Sequence, residues 1–305
     1  MKKIVIVLST ALILGSCGDT DISKRFSAGF RYICLSEYDE NHDKKLSLEE
    51  AANIEKLIID SDSDFQKSYL SDYFTSVKTV EIRGVDKFDV DFSDIQTIES
   101  VICNNTAVEN INVSGCASLK RIERVPSRLK NLDVSGCVAL EALNVSKTEL
   151  ISVDVSTCSA LKDLSCNNCN LSSLIIGDNP TLQKISCRKN NLTSFVIGDC
   201  PSLKEIDCGE NELNRIDLKK CPSLIKLCCR ENQLANLDLS ACSLLEWLEC
   251  SENPLSELDL SRSPHINYLE VQCNTMATIY LSDQQMKNGI GSYWKDPMTV
   301  FKVKR

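Results

Sequence analysis

The side chains that could do chemistry in this 305-residue chain are unevenly stocked: 43 carboxylates, 17 cysteines and two histidines, His42 and His265. Acid–base catalysis and metal sites built on imidazole are hard to assemble from so little of it. Two settings for chemistry remain. One is the segment Asp39-Glu40-Asn41-His42-Asp43-Lys44-Lys45-Leu46-Ser47-Leu48-Glu49-Glu50, where acid and amide oxygens recur at alternate positions. Hard oxygen donors are what calcium selects. The other is the cysteines, which in a secreted chain would ordinarily predict a disulfide framework. Their spacing argues against it. Cys103, Cys166, Cys187, Cys208, Cys229 and Cys250 differ by multiples of 21, and so do Cys116, Cys137, Cys158, Cys200, Cys221 and Cys242. Val or Ile fills the first set's place in other units (Ile82, Val145 and Val271), so Cys there is expected to act as a small buried hydrophobe. Cys166-Asn167-Asn168-Cys169 has redox or zinc spacing, but its two cysteines fall in different columns and read as structural. Cys34, Cys228 and Cys273 lie outside both columns.

The Asp39–Glu50 segment resembles an EF-hand loop. The resemblance implies one calcium ion, with Asp39, Asn41 and Asp43 at the first, third and fifth positions. It further implies the backbone carbonyl of Lys45 at the seventh, Ser47 at the ninth and a bidentate Glu50 at the twelfth. Lys44 departs from the pattern, which puts Gly at the sixth position for a sharp turn; a non-Gly residue there costs about 1 kcal/mol. Ser47-x-x-Glu50 fits a helix capping box equally well. Phe26, Phe30 and Ile33 keep helical spacing ahead of the loop.

The elements that must position these residues follow from a repeat. From Lys78 the sequence repeats every 21 residues without insertion through ten units. The third position reads Val80, Val101, Ile122, Leu143, Leu164, Ile185, Ile206, Leu227, Leu248, Leu269, and the fifteenth runs from Phe92 to Leu281 with the same apolar character. A single unit cannot bury its apolar side, so units must stack into one continuous core. Strands are expected at the third to fifth positions, with a second extended segment near the thirteenth to fifteenth, as in Leu237-Asp238-Leu239. Ile54-x-x-Leu57-x-Ile59 begins one more, longer unit that runs to Val77.

Leu182-x-x-Ile185-x-Cys187-x-x-Asn190-x-Leu192 matches the leucine-rich-repeat pattern. The resemblance implies a β-rich leucine-rich-repeat solenoid, a right-handed parallel-strand coil of 21-residue repeats over 55–287. It further implies that the Asn column at the eighth position (Asn190, Asn211, Asn232, Asn253, Asn274) hydrogen-bonds the turn backbone of neighbouring coils. Residues 17–54 would form a lipidated tether and small helical N-terminal cap, and 288–305, with Trp294, a C-terminal cap.

At the N-terminus, Lys2 and Lys3 precede an apolar run from Ile4 to Leu14, too short to span a bilayer and suited to a signal peptide over 1–16. Leu14-Gly15-Ser16-Cys17 resembles the bacterial lipobox, which implies lipid on Cys17 and a membrane anchor. Asp19 and Asp21 beside it resemble the tether of surface-exported lipoproteins, which implies the outer membrane and its external face. The order of lipobox, EF-hand-like loop and Cys- and Asn-rich repeats resembles the internalin-like leucine-rich-repeat lipoproteins of anaerobic bacteria.

A net charge of −9 argues against non-specific nucleic-acid binding, which needs a basic face. There is no nucleophile–His–acid set and no phosphate-cradling loop. Carboxylate pairs such as Glu249 and Glu270 could serve hydrolysis, but every outward column of such a repeat carries charge. The expectation is a non-enzymatic binding protein, with a structural surface-layer or spacer component as the other reading. Alternation places the second, fourth and sixth positions outward. In the last full coils these include Lys226, Cys228, Arg230, Trp247, Glu249, Tyr268 and Glu270. Trp and Tyr flanked by Arg are hot-spot residue types, suited to a protein or glycan partner. They could instead only shield the C-terminal cap.

Overall fold

The computed structural model describes residues 21–60, 66–84, 89–104, 106–194 and 196–304. The signal segment and Cys17 lie outside them. Each coil contributes one short strand to a 12-stranded sheet running from Lys56–Asp60 to Ser292–Trp294, all neighbours parallel. Most neighbours pair at a step of 21 residues, as in Lys226↔Trp247 and Trp247↔Tyr268. The first step is longer, Lys56↔Thr79, as the Ile54–Val77 unit predicts. The strands begin at the second position of each unit, one residue earlier than the pattern suggests; Thr79–Arg83 and Ser100–Asn104 run to the sixth position and the later ones to the fourth. The third and fifth positions still face inward: Leu227, Cys229, Leu248 and Cys250 are fully buried.

On the opposite side the second extended segments form three separate three-stranded parallel sheets. They cover Val90–Asp91 to Asn131–Asp133, Ser152–Asp154 to Val196–Ile197, and Glu257–Asp259 to Val300–Val303. Leu237-Asp238-Leu239, read as an extended segment from its alternation, is not in a strand, nor is the equivalent stretch around Ile216. Alternation fixes which side chains face in. It does not bring neighbouring coils close enough for a ladder.

The turn after each main strand explains the Asn column. Position seven adopts left-handed φ at Lys147, Asn168, Lys189, Glu210, Glu231, Glu252 and Cys273, with φ from 53 to 63°. This conformation is costly for most residues. Asn190 compensates by donating from Nδ2 to the carbonyls of Cys166 (2.8 Å) and Cys187 (2.9 Å) and accepting from the Leu171 amide at 3.1 Å. Asn211, Asn232 and Asn253 repeat this. Earlier units carry Thr148 or Cys169 there, each donating to the Val145 carbonyl. Cys166 and Cys169 are therefore two structural positions, as the columns imply.

All the described cysteines are free thiols, and all but Cys273 are buried. The fifth-position column behaves as a hydrophobic stripe. The other column does more than that. Cys116 and Cys137 donate their S–H to the carbonyls of Phe92 (2.9 Å) and Val113 (3.1 Å) in the preceding coil. Where Cys is replaced, Asn179 and Ser263 donate to the carbonyls of Cys158 and Cys242. Position eighteen thus supplies donors to the preceding coil at Cys116, Cys137, Asn179 and Ser263, a role distinct from the fifth-position stripe. Burial pushes the Cys137 thiol up to about 12, so it stays a protonated donor at neutral pH.

The N-terminal end is covered by helices. Ser27 caps Ala28–Glu37, whose Phe30, Ile33 and Cys34 are buried. Phe26, Phe30 and Phe74 meet with ring centroids 5.0–5.8 Å apart over the first coil. At the other end, Asp283–Asn288 forms a helix with a Ser282/Gln285 capping box. After it, Ser292–Trp294 joins the main sheet and Val300–Val303 a side sheet. The segment after the helix adds a further coil at this end, entered by a 24-residue step from Tyr268 to Ser292.

Candidate ligand-binding face and candidate metal loop

The outward face of the last coils is built by register. Parallel pairing at a fixed step places Lys226, Trp247 and Tyr268 side by side. The Trp247 and Tyr268 rings stack with centroids 3.5 Å apart and planes 6° from parallel. Lys226 Nζ lies 4.7 Å from the Trp247 ring centroid, on the strand opposite Tyr268. Beside this column runs a polar one. Trp247 Nε1 donates to Glu249 at 2.6 Å, and the Tyr268 hydroxyl donates to Glu270 at 3.2 Å. Burial, then the Glu270 carboxylate, hold the Tyr268 phenol above its usual range. Both carboxylates are thus oriented by the ring beside them.

Three assignments change. Arg230 does not flank the rings: its guanidinium reaches Glu210 at 3.3 Å and Glu231 at 3.5 Å. Arg188 binds the same Glu210, so the two arginines and one acid form a rung beside the aromatic column. Gly209 leaves the room for Arg230 to cross, since a Cβ there would lie 3.3 Å from its Cγ. The cation on the ladder is Lys226. Cys228 points outward by alternation yet is only 5 % exposed, its thiol donating to Glu249 at 3.3 Å. Third, Trp294 belongs to the ladder. It pairs with Glu270 in register, and its ring lies 5.2 Å from Tyr268 at 48°. The sequence offered a signal, an aromatic after the last unit, but the 24-residue step hid its column.

The first coils carry a different surface at the same strand positions. Glu81 is 5 % exposed and held by Lys56 (2.5 Å), Arg83 (2.9 Å) and Asn104. Arg124 in turn binds Asn104. The Arg83 guanidinium above all, then Lys56 and Asn104, outweigh burial and hold the Glu81 carboxyl at about 2.

In the Asp39–Glu50 loop, Asp39 accepts from the Asp43 amide (3.2 Å) and the Lys44 amide (2.8 Å). Asn41 accepts from Asp43, and Asp43 from Lys45, both at 2.9 Å. Lys44 has φ 66°, so the position where the EF-hand pattern places Gly does take the left-handed turn. Leu46 is fully buried and pairs with Ile22, whose amide donates to its carbonyl at 2.9 Å. Asp21, read as tether, belongs to this fold: it accepts from Ser23 and Leu46. Burial pushes its carboxyl up, and those bonds lower it further than burial raises it.

Ser47 and Glu50 form the capping box, with Glu50 Oε2 taking both Ser47 donors at 2.8 Å. Glu50 Oε1 is buried with no hydrogen-bond partner. Among the described residues no three His, Cys, Asp or Glu side chains form a metal-holding group. The donor set still fits calcium: hard oxygens on the required residues, the required backbone turn, and one buried carboxylate oxygen lacking a donor.

No protein-family model matches this sequence, and no curated protein matches it. Solved structures do resemble the fold. The functional domain of InlJ from Listeria monocytogenes, which includes a cysteine ladder, has a TM-score of 0.54 at 19 % identity, over 93 % of this chain and 61 % of that one. The leucine-rich repeat domain of APL1B gives 0.58 at 16 %, over 78 % and 80 %. The LRIM1/APL1C complex gives 0.56 at 16 %, over 84 % of this chain and 51 % of that one. The chain therefore spans about three fifths of the InlJ domain it resembles. The class this defines is the leucine-rich-repeat solenoid, here one with two cysteine columns. Among the described residues no helix is long and apolar enough to cross a membrane.

Proposed function

We propose that this chain is a non-enzymatic binding protein of the bacterial cell surface, engaging its partner with the outward strand face of the last coils. The observation that carries the reading is the cluster of Trp247 and Tyr268, stacked in one column, with Trp294 opposite Glu270, beside the oriented carboxylates Glu249 and Glu270. Large amphipathic rings with fixed polar neighbours are what binding hot spots are made of. A solenoid scaffold supports the reading, since one of the similar structures is a complex. The test is an array of proteins and glycans probed with the wild type and with Trp247→Ala/Tyr268→Ala. Retained binding by the folded double variant would reject this face as the site.

Anchoring and metal belong to the same reading. Lipid on Cys17 tethers the protein to the outer membrane; Cys17→Ser should release it or leave an uncleaved precursor. One calcium ion binds the N-terminal loop through the side chains of Asp39, Asn41, Asp43 and Ser47, the Lys45 carbonyl and Glu50. Calcium supplies charge to hold these oxygens together and stabilises the N-terminal cap. Calorimetry with millimolar calcium, and a calcium-dependent rise in Tm lost in Asp39→Ala/Glu50→Ala, check it. No heat of binding would reject it.

A further inference from the structure

The two ends of the aromatic ladder are not equivalent. Upstream, both faces of Trp247 are occupied, one by the Lys226 ammonium and the other by the Tyr268 ring. Downstream the stack opens. Trp294 leans 48° from Tyr268 with centroids 5.2 Å apart, so the rings touch at a tilt and their planes diverge into a shallow wedge that can receive a group only at its open edge. The residue paired opposite Tyr268 is Ser292, too small to fill it. Glu270 stands beside both rings, paired to Trp294 and hydrogen-bonded to the Tyr268 hydroxyl. Trp294 is 45 % exposed.

Ring faces attract cations, and an adjacent carboxylate adds to the attraction. The ladder already uses this chemistry at Lys226. Among the described residues no cation lies over Tyr268 or Trp294. The nearby Lys295 ammonium is held by the carbonyls of Asp296 and Thr299. The polar column leading to the wedge is acidic: Asp207, Glu249 and Glu270 at the fourth position, interrupted by the neutral Cys228. We propose that the Tyr268–Trp294 wedge, with Glu270 at its side, takes an Arg or Lys side chain from a basic polypeptide segment. The inference rests on the last coils being the binding face and narrows the partner's chemistry. Stacking of a sugar on Trp247 is the poorer fit, because both faces of that ring are occupied.

The test uses calorimetric titration with a Gly-Ser peptide carrying two arginines, the same peptide with citrulline in their place, and free arginine. The expected result is binding of the arginine peptide, about tenfold weaker for the citrulline version, and about tenfold weaker again for Glu270→Gln and for Trp294→Ala at unchanged Tm. Equal affinity for the two peptides overturns the proposal, as does equal affinity in the two variants. Free arginine binding as tightly as the peptide overturns a polypeptide source. If these fail while Trp247→Ala/Tyr268→Ala still abolishes capture on the array, the wedge is wrong and the face is not.

Discussion

The first and last coils of this solenoid share a backbone and differ in what they do with outward strand positions. In the first, the charges satisfy one another: Lys56, Arg83 and Asn104 close around Glu81, and Arg124 closes around Asn104. In the last, the rings orient carboxylates that keep accepting capacity toward solvent, and the final ring is open on one side. A closed polar network rigidifies a sheet and offers a partner little. An oriented but unsaturated one is ready to bind, because its side-chain entropy is already lost. The turns differ in the same direction. The late coils carry the Asn column, which is satisfied through Asn253 and leaves Asn274 Oδ1 buried without a partner in the last unit, whereas the early ones lack the column and leave Ser100 Oγ and Thr106 Oγ1 unpartnered. The regular half of the scaffold is the half that presents the aromatic face.

The largest expected effect ignores the difference between regions. Leu143→Ala early and Leu227→Ala late should each cost about 2–5 kcal/mol in urea unfolding, because both sit in one continuous core. A much smaller loss at one of them would show that the two regions unfold separately. Next comes Glu81→Gln, expected to cost about 1–3 kcal/mol by leaving Lys56 and Arg83 facing a neutral amide. Its pH dependence has a definite sign. The carboxyl is held down at about 2 in the folded protein, so its contribution is present above the ordinary carboxylate range and fades as pH falls toward 2. The Tm difference between wild type and Glu81→Gln should therefore shrink with acidification; a constant difference would remove the closed network from the comparison.

Smaller still in stability is Trp247→Ala/Tyr268→Ala, since a stacked pair adds about 0.5–1.5 kcal/mol beyond its buried area. The comparison predicts that binding goes and the fold stays. A collapse of stability with binding retained by the folded fraction would make the rings a shield for the final coil. Smallest is Lys226→Gln, where losing the cation over Trp247 should lower stability by about 0.5–1 kcal/mol. A lower Tm with unchanged partner affinity would place Lys226 among the closed contacts of the early kind.

The sequence by itself determined the period, the inward columns, the coil count up to Leu281 and the structural standing of Cys166 and Cys169. It could do so because stacking makes residue i lie on residue i+21, so a core position must stay apolar in every unit. It also held the Asx pattern of the N-terminal loop, since those contacts span two to five residues. Only the tertiary structure decided which outward residues are spent on each other. Arg230 turns to Glu210 across Gly209, and Cys228 is covered by its neighbours, neither of which a column of letters records. Likewise, position eighteen became legible as a source of donors only when the carbonyls of the preceding coil lay within reach of Cys, Asn and Ser alike. Trp294 joined the ladder because the helix Asp283–Asn288 lengthens the last step to 24 residues, and a register set by an inserted helix is fixed by packing rather than by period.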